Sequence, residues 1–179
     1  SGFEATPDRR ERMRLSRPYY VYSQQLVARA DDSRIQSLDD CDGLTVGTMA
    51  ETAAERLLRQ RGDVDIVAFS GQVEPFLDLE LGRLDAVLLD SPIALYYASP
   101  NPKLRNAGPP MAEGEYVIAL RPDDAALAEA IDEALGTLIA DGRLRDIYRR
   151  WRLLTPQQAR WAAGPQRTRE LAGMGFDAD

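Results

Sequence analysis

An acidic residue and a helix start occupy matching places in this sequence, each directly after a predicted apolar strand. Asp90 follows the strand predicted at residues 84–89 and precedes a proline-initiated helix. Thr52 begins a second helix after the strand predicted at residues 44–48. The backbone N–H groups and the dipole at such a helix start favour an anion such as a carboxylate, whereas Asp90 could receive an ammonium group. Because ligands of open parallel sheets bind at the carboxyl ends of strands, the two positions together predict a site for both ends of a zwitterion.

Each candidate also has a purely structural interpretation. Thr52 opens a capping-box pattern that needs no ligand, and Asp90 is a good helix cap as well. Arg9 lies in an arginine-rich segment, and most side chains in such segments are solvated. The tyrosines at positions 19 and 20 are more typical of a core than of a platform for a ligand ring. Local pattern alone therefore indicates an α/β protein with a candidate site for a small anion.

Alternating strands and helices are expected to position these residues. The strands are predicted at residues 44–48, 64–69 and 84–89, and the helices at residues 52–61, 73–82 and 91–97. Such alternation is typical of a parallel sheet covered on both faces. A helix capped by Thr6 and an extended stretch at 18–27 precede this region. A strand at Tyr116–Leu120 and two amphipathic helices after Asp123 follow it, and the chain from Thr155 onward is expected to be a surface helix or a linker.

Composition excludes several kinds of chemistry. The 179 residues include no histidine and one cysteine, Cys41, so Ser-His-Asp and Cys-His catalysis, His-based metal sites and a disulfide within the chain are ruled out. The net charge of −7 argues against nucleic acid as a partner. No apolar run approaches the roughly 20 residues that span a bilayer. The start lacks a signal-peptide pattern, which is expected if that segment was removed or if the sequence is a fragment.

Five segments, taken in order, match the motifs of a known family. Residues 6–20 contain T-P-D-R and L-S-R-P-Y-Y, and residues 46–55 read V-G-T-M-A-E-T-A-A-E. Residues 81–90 read L-G-R-L-D-A-V-L-L-D, residues 116–121 form a return strand, and residues 141–151 read D-G followed by a closing W. In this order and spacing, from about Gly2 to Trp151, they resemble the polar amino acid-binding proteins of bacterial ABC transporters, solute-binding protein family 3. The ending at residues 151–158 is similar to the subgroup fused to its permease.

The resemblance implies a role for each candidate residue. Arg9 would bind the ligand carboxylate with two hydrogen bonds. Thr52 and Ala53 would donate to the same carboxylate from a hydroxyl and from the backbone. Asp90 would accept the ligand's α-ammonium group.

The sequence departs from the family pattern at three positions. Glu4 stands where a small Ser or Thr is usual, so it could add an acceptor for a polar or cationic ligand. Ala53 stands where many members have a second Thr, which leaves only its N–H to contribute. Glu51 replaces a Gly, which puts the geometry of the local turn in question.

The implied fold is α/β and resembles a type II periplasmic binding protein. Residues 28–115 are expected to form a complete Rossmann-like second lobe, residues 1–27 and 116–151 an incomplete first lobe, and residues 152–179 a C-terminal helix or linker. The family's opening third, which builds much of the first lobe and supplies an aromatic clamp, would lie before Ser1. The first-lobe segments are therefore expected to be stabilised by another chain, by a missing N-terminal segment or by rearrangement.

The function implied is the substrate-binding component of an amino acid ABC importer. Such a protein works outside the cytoplasm, in the periplasm or tethered to the inner membrane. Its partners are a free amino acid, held in a cleft between the lobes, and an inner-membrane ABC permease; no cofactor and no metal are expected. Two alternatives stay open: an enzyme of the same fold that dehydrates cyclohexadienyl acids or arogenate, with Glu4 as the acid, and a sensory ligand-binding domain. Glu4 and the acidic balance tilt the expected ligand towards polar or basic amino acids without identifying it.

Overall fold

The chain passes twice between two units. The computed structural model describes residues 2–161. One unit combines the chain up to Val21 with the described chain from Gly114 onward, and the other is Tyr22–Glu113. The expectation of a helix or linker over residues 162–179 lies outside the described residues.

Six α-helices and eight strands frame this part of the chain, besides a 3-10 helix at Leu38–Cys41 and the helical residues 156–161. The helices are α1 (Pro7–Arg12), α2 (Ala53–Arg61), α3 (Glu74–Glu80), α4 (Ser91–Tyr97), α5 (Ala125–Ala140) and α6 (Arg143–Arg150). The strands are β1 (Arg14–Leu15), β2 (Tyr20–Arg29), β3 (Thr45–Met49), β4 (Asp65–Phe69), β5 (Ala86–Asp90), β6 (Leu104–Asn106), β7 (Met111–Tyr116) and β8 (Ala119–Leu120). The passages between the units fall within β2 and β7.

A mixed sheet forms the centre of the second unit. Its strand order is β4-β3-β5-β2-β6, and β7 also pairs with β2. Strands β3, β4 and β5 are parallel, as the alternating pattern predicts, but β2 pairs antiparallel with both β5 and β6. The parallel arrangement predicted for the three alternating strands is therefore confirmed. The sequence predicts β2 only as an extended stretch, and alternation does not fix its direction because no crossover helix joins it to β3.

Two buried clusters cover the faces of this sheet. Leu26 and Leu88 belong to one cluster, and Val27 and Val87 belong to the other. Successive residues of β2 and β5 therefore point to opposite faces, as the period of a strand requires. All five residues of β5 are buried. The strand therefore holds Asp90, its last residue, in a well-packed position.

The first unit is built around an antiparallel pair and an aromatic cluster. In β1 and β8, Arg14 lies opposite Leu120. The ring of Tyr20 stacks on Tyr116 at 5.7 Å between centroids and meets Tyr148 edge-on at 5.3 Å. Tyr20 is 4% exposed, so the prediction that this tyrosine belongs to a core is confirmed.

The return of the chain differs from the sequence prediction. The strand predicted at Tyr116–Leu120 is wrong in its bounds: β7 ends at Tyr116, and β8 holds only Ala119–Leu120. Residues 113–115 (Glu-Gly-Glu) lack the alternating apolar residues that indicate a strand, so β7 was not predicted. Residues 156–161 are helical. From the sequence, either a surface helix or a linker is expected in this region. Within residues 2–161, no helix has the length and apolar character needed to span a membrane.

Candidate functional site

Thr52, Ala53 and Asp90 lie at one edge of the sheet in the second unit. Thr52 is the residue before α2, which follows β3, and Asp90 is the last residue of β5. Because β3 and β5 are parallel neighbours, with Gly47 opposite Val87, their carboxyl ends meet at the same edge. The structure thus places the predicted carboxylate-binding helix start and the predicted ammonium acceptor on adjacent strands.

The Thr52 side chain caps α2. Its Oγ1 accepts a hydrogen bond from the Glu55 N–H at 3.3 Å and donates one to the Met49 carbonyl at 2.7 Å. The capping interpretation of Thr52 is therefore confirmed. Since a hydroxyl has a single proton to donate, a carboxylate at this helix start would be met chiefly by backbone N–H groups.

Glu51 occupies a backbone conformation that favours glycine. Its φ is 61°, in the left-handed region, so the turn geometry that the family's Gly would supply is kept although a glutamate stands there. The Glu51 N–H donates to the Glu55 carboxylate at 2.7 Å, and Arg59 donates to the same carboxylate at 2.6 Å. These bonds stabilise the charged form and lower the pKa of Glu55. The side chain of Glu55, in the first turn of α2, thus holds the turn before Thr52 in place.

Asp90 is a buried carboxylate that does not cap the helix it precedes. It is 7% exposed and stands at the N-cap position of α4, but its side chain makes no cap hydrogen bond. Its Oδ1 instead accepts a hydrogen bond from Gln24 Nε2 at 2.8 Å. Simple capping therefore does not explain an acid at this position.

Arg9 and Glu4 lie together in the first unit. Arg9 Nη1 donates to the Glu4 backbone carbonyl at 2.9 Å and lies 3.7 Å from Glu4 Oε2. The guanidinium also covers the Phe3 ring, 4.3 Å from its centroid. The Arg9 side chain is 25% exposed, whereas the following arginines at 10, 12, 14 and 17 are exposed, so Arg9 stands apart from its solvated neighbours. The α1 helix, capped by Thr6 and opened by Pro7, places Arg9 next to Glu4.

Sequence reasoning missed one polar residue next to the site. Gln24 is fully buried in β2 and lies opposite Asp90 in the register of the two strands. The signal was present, because three polar residues, Ser23, Gln24 and Gln25, interrupt the apolar and aromatic residues of this strand.

Residues 1–154 match the bacterial extracellular solute-binding proteins, family 3. The ABC transporter arginine-binding protein 1 of Escherichia coli K12 is 29% identical over 84% of this chain, and the chain spans 64% of that protein. Among solved structures, holo ArgBP from T. maritima is 32% identical with a TM-score of 0.73, over 77% of this chain and 62% of that one. The ancestral amino acid-binding protein AncCDT-1, a precursor of cyclohexadienyl dehydratase, is 26% identical with a TM-score of 0.77, over 84% of this chain and 66% of that one.

These matches confirm the α/β fold of the type II periplasmic binding proteins. The chain spans less than two thirds of the length of the arginine-binding protein and of holo ArgBP. The family match covers all five segments on which the resemblance rests. This chain belongs to the bacterial extracellular solute-binding proteins of family 3.

Proposed function

We propose that this chain carries the residues with which an ABC importer's solute-binding protein binds a free amino acid. The observation that carries the proposal is the placement of Asp90, a buried carboxylate at the carboxyl end of β5, the strand next to β3. A carboxylate in this place can accept a charge-assisted hydrogen bond from an α-ammonium group. The helix start at Thr52, on the neighbouring strand, supports binding of the α-carboxylate of the same ligand.

The proposed roles divide between the two ends of the ligand. Arg9 and the backbone N–H groups at Thr52 and Ala53 bind the carboxylate, and Asp90 accepts the ammonium group. The Thr52 hydroxyl donates its proton to the Met49 carbonyl, so it supports the ligand carboxylate only indirectly, by fixing the start of α2. No bond is broken in this scheme, so the protein acts as a binding component and not as an enzyme.

Glu4 is proposed to select for a basic ligand. It is 4% exposed and lies beside Arg9, where it can accept a hydrogen bond from a cationic side chain. The similarity to an arginine-binding protein supports L-arginine as the first ligand to test.

The proposed partner is an ABC permease in the inner membrane, and the proposed location is the periplasm or the outer face of that membrane. Strands β2 and β7, through which the chain passes between its units, are the proposed hinge segments. The membership of the family supports this placement.

The test is a calorimetric binding panel of the twenty L-amino acids on the natural protein that carries this sequence. We expect binding of one or a few basic amino acids, weakened at least about 30-fold by Asp90→Asn or Arg9→Gln, because loss of a desolvated charge partner costs about 2–5 kcal/mol. Asp123→Asn and Arg10→Gln are matched controls at exposed positions and should bind as the wild type does. Glu4→Gln should weaken basic ligands more than neutral ones. A protein that binds none of the twenty contradicts the proposal.

A dehydratase is the second candidate, because AncCDT-1, an amino acid-binding protein of similar structure, is a precursor of cyclohexadienyl dehydratase, and Glu4 offers a buried carboxyl group as the acid. Incubation with prephenate or arogenate distinguishes the two functions. Turnover that is lost in Glu4→Gln favours the enzyme, and unchanged substrate favours the binding protein.

A further inference from the structure

Gln24 is a fully buried amide in the middle of β2, between the buried polar residues Ser23 and Gln25. Leu26, Val27 and Ala28, which follow it in β2, are completely buried as well. Gln24 lies opposite Asp90 in the antiparallel pairing of β2 with β5, so their side chains extend from the same face of the sheet. The 2.8 Å hydrogen bond from Gln24 Nε2 to Asp90 Oδ1 follows from this register.

The other end of the Gln24 amide is unsatisfied. A carboxylate only accepts hydrogen bonds, so the amide nitrogen must face Asp90 and the amide oxygen must face elsewhere. Gln24 Oε1 is buried and has no hydrogen-bond partner among residues 2–161. Buried polar atoms in native proteins are nearly always paired, and an unpaired one needs an explanation. An acceptor of this kind beside a buried carboxylate is suited to a donor with several protons.

We propose that Gln24 is a ligand-binding residue that uses both the nitrogen and the oxygen of its side-chain amide. Its nitrogen orients the Asp90 carboxylate, and its oxygen accepts one N–H of the ligand's α-ammonium group. An ammonium group has three N–H donors that diverge from one another, so one carboxylate does not satisfy all of them. The inference rests on the proposed function, because it adds a second acceptor to the ammonium position assigned there to Asp90.

Gln25 provides a matched control on the same strand. It is 4% exposed, and its Nε2 donates to the carbonyls of Leu26 at 2.9 Å and Gly108 at 3.3 Å. Because neighbouring residues of a strand point to opposite faces, Gln25 carries the same amide away from Asp90. Gln24→Met and Gln25→Met therefore remove the same group from a buried position of β2, and only the first touches the proposed site.

The experiment measures binding of L-arginine and of Nα-methyl-L-arginine to the wild type and to both variants. We expect Gln24→Met to weaken L-arginine roughly 10-fold or more, as loss of a hydrogen bond to a charged group does, and Gln25→Met to change it by less than about threefold. Nα-methylation removes one N–H, so its penalty should be smaller in Gln24→Met than in the wild type. A purely structural role for Gln24 would leave that penalty unchanged.

The outcomes separate this inference from the proposed function. If the wild type binds and Gln24→Met binds equally well, or the methylation penalty is the same in both, Gln24 is a structural residue and the inference is wrong while the proposed function stands. If the wild type prefers another amino acid, the same comparison is made with that amino acid and its Nα-methyl derivative. Should Gln24→Met fail to fold, Gln24→Asn replaces it; its amide is one methylene shorter and cannot reach both partners, so the same loss is expected. A wild type that binds no amino acid overturns both.

Discussion

Glycine at position 51 should stabilise the protein. Glu51 has a φ of 61°, a conformation that costs a residue with a β-carbon about 1–2 kcal/mol and costs glycine almost nothing. Against this gain, glycine loses about 0.5–1 kcal/mol more conformational entropy on folding. The Glu51 N–H bond to Glu55 is a backbone donor and survives the change. We therefore expect Glu51→Gly to raise the free energy of unfolding by about 0.5–1 kcal/mol, or roughly 1–4 °C in Tm.

Glu51→Gln is the matched control for this prediction. It removes the negative charge of the side chain but keeps the β-carbon, so it separates an effect of charge from backbone strain. Urea unfolding followed by circular dichroism, with the slope of the transition checked for constancy, gives the comparison. Equal stabilisation by Gln and Gly would show that charge and not backbone conformation is the cause, and a loss of stability in Glu51→Gly would contradict the reasoning outright.

Three further predictions concern side chains in the second unit. Thr52→Ala should lower the free energy of unfolding by about 1 kcal/mol through loss of the α2 cap, and Thr52→Ser should restore most of it in urea titrations. The Glu51 N–H and Arg59 lower the pKa of Glu55, so its stabilisation is present above the ordinary carboxyl pKa and is lost as the pH falls below it. The stability difference between wild type and Glu55→Gln should therefore be larger at about pH 7 than at about pH 3.5. Burial raises the pKa of the Cys41 thiol to about 11, so iodoacetamide at about pH 8 should alkylate it far more slowly in the native protein than in urea.

The helices of this protein were largely predictable because their ends are encoded locally. Thr6 and Thr52 cap α1 and α2 as predicted, and Gly62 ends α2 with a φ of 76°. Such signals involve residues three or four positions apart and do not depend on the rest of the fold. Strands β6 and β7 lacked a local signal, since one has three residues and the other carries exposed acidic side chains.

The sequence positions of the candidate site residues were predictable, but the hydrogen bonds between their side chains were not. The position of Asp90 after a buried strand follows from sequence, but whether it caps α4 depends on the orientation of its carboxylate. That orientation is linked to Gln24, which is 66 residues away and belongs to a strand whose direction the helix–strand alternation did not determine. Pairing between antiparallel strands that are distant in sequence is a tertiary property, so the partner of Asp90 could emerge only from the fold.

The formal charges of the proposed site favour a ligand that is itself positively charged. Arg9 contributes one positive charge, whereas Glu4 and Asp90 each contribute a negative one, so the three together leave one negative charge. A neutral amino acid would leave that charge unbalanced, and an acidic one would double it, at a cost that rises as the site is closed to water. The family's usual Ser or Thr at position 4 would make the sum zero, which suits a neutral zwitterion. Glu4, buried beside Arg9, is thus the residue to which we attribute the proposed preference for a basic amino acid.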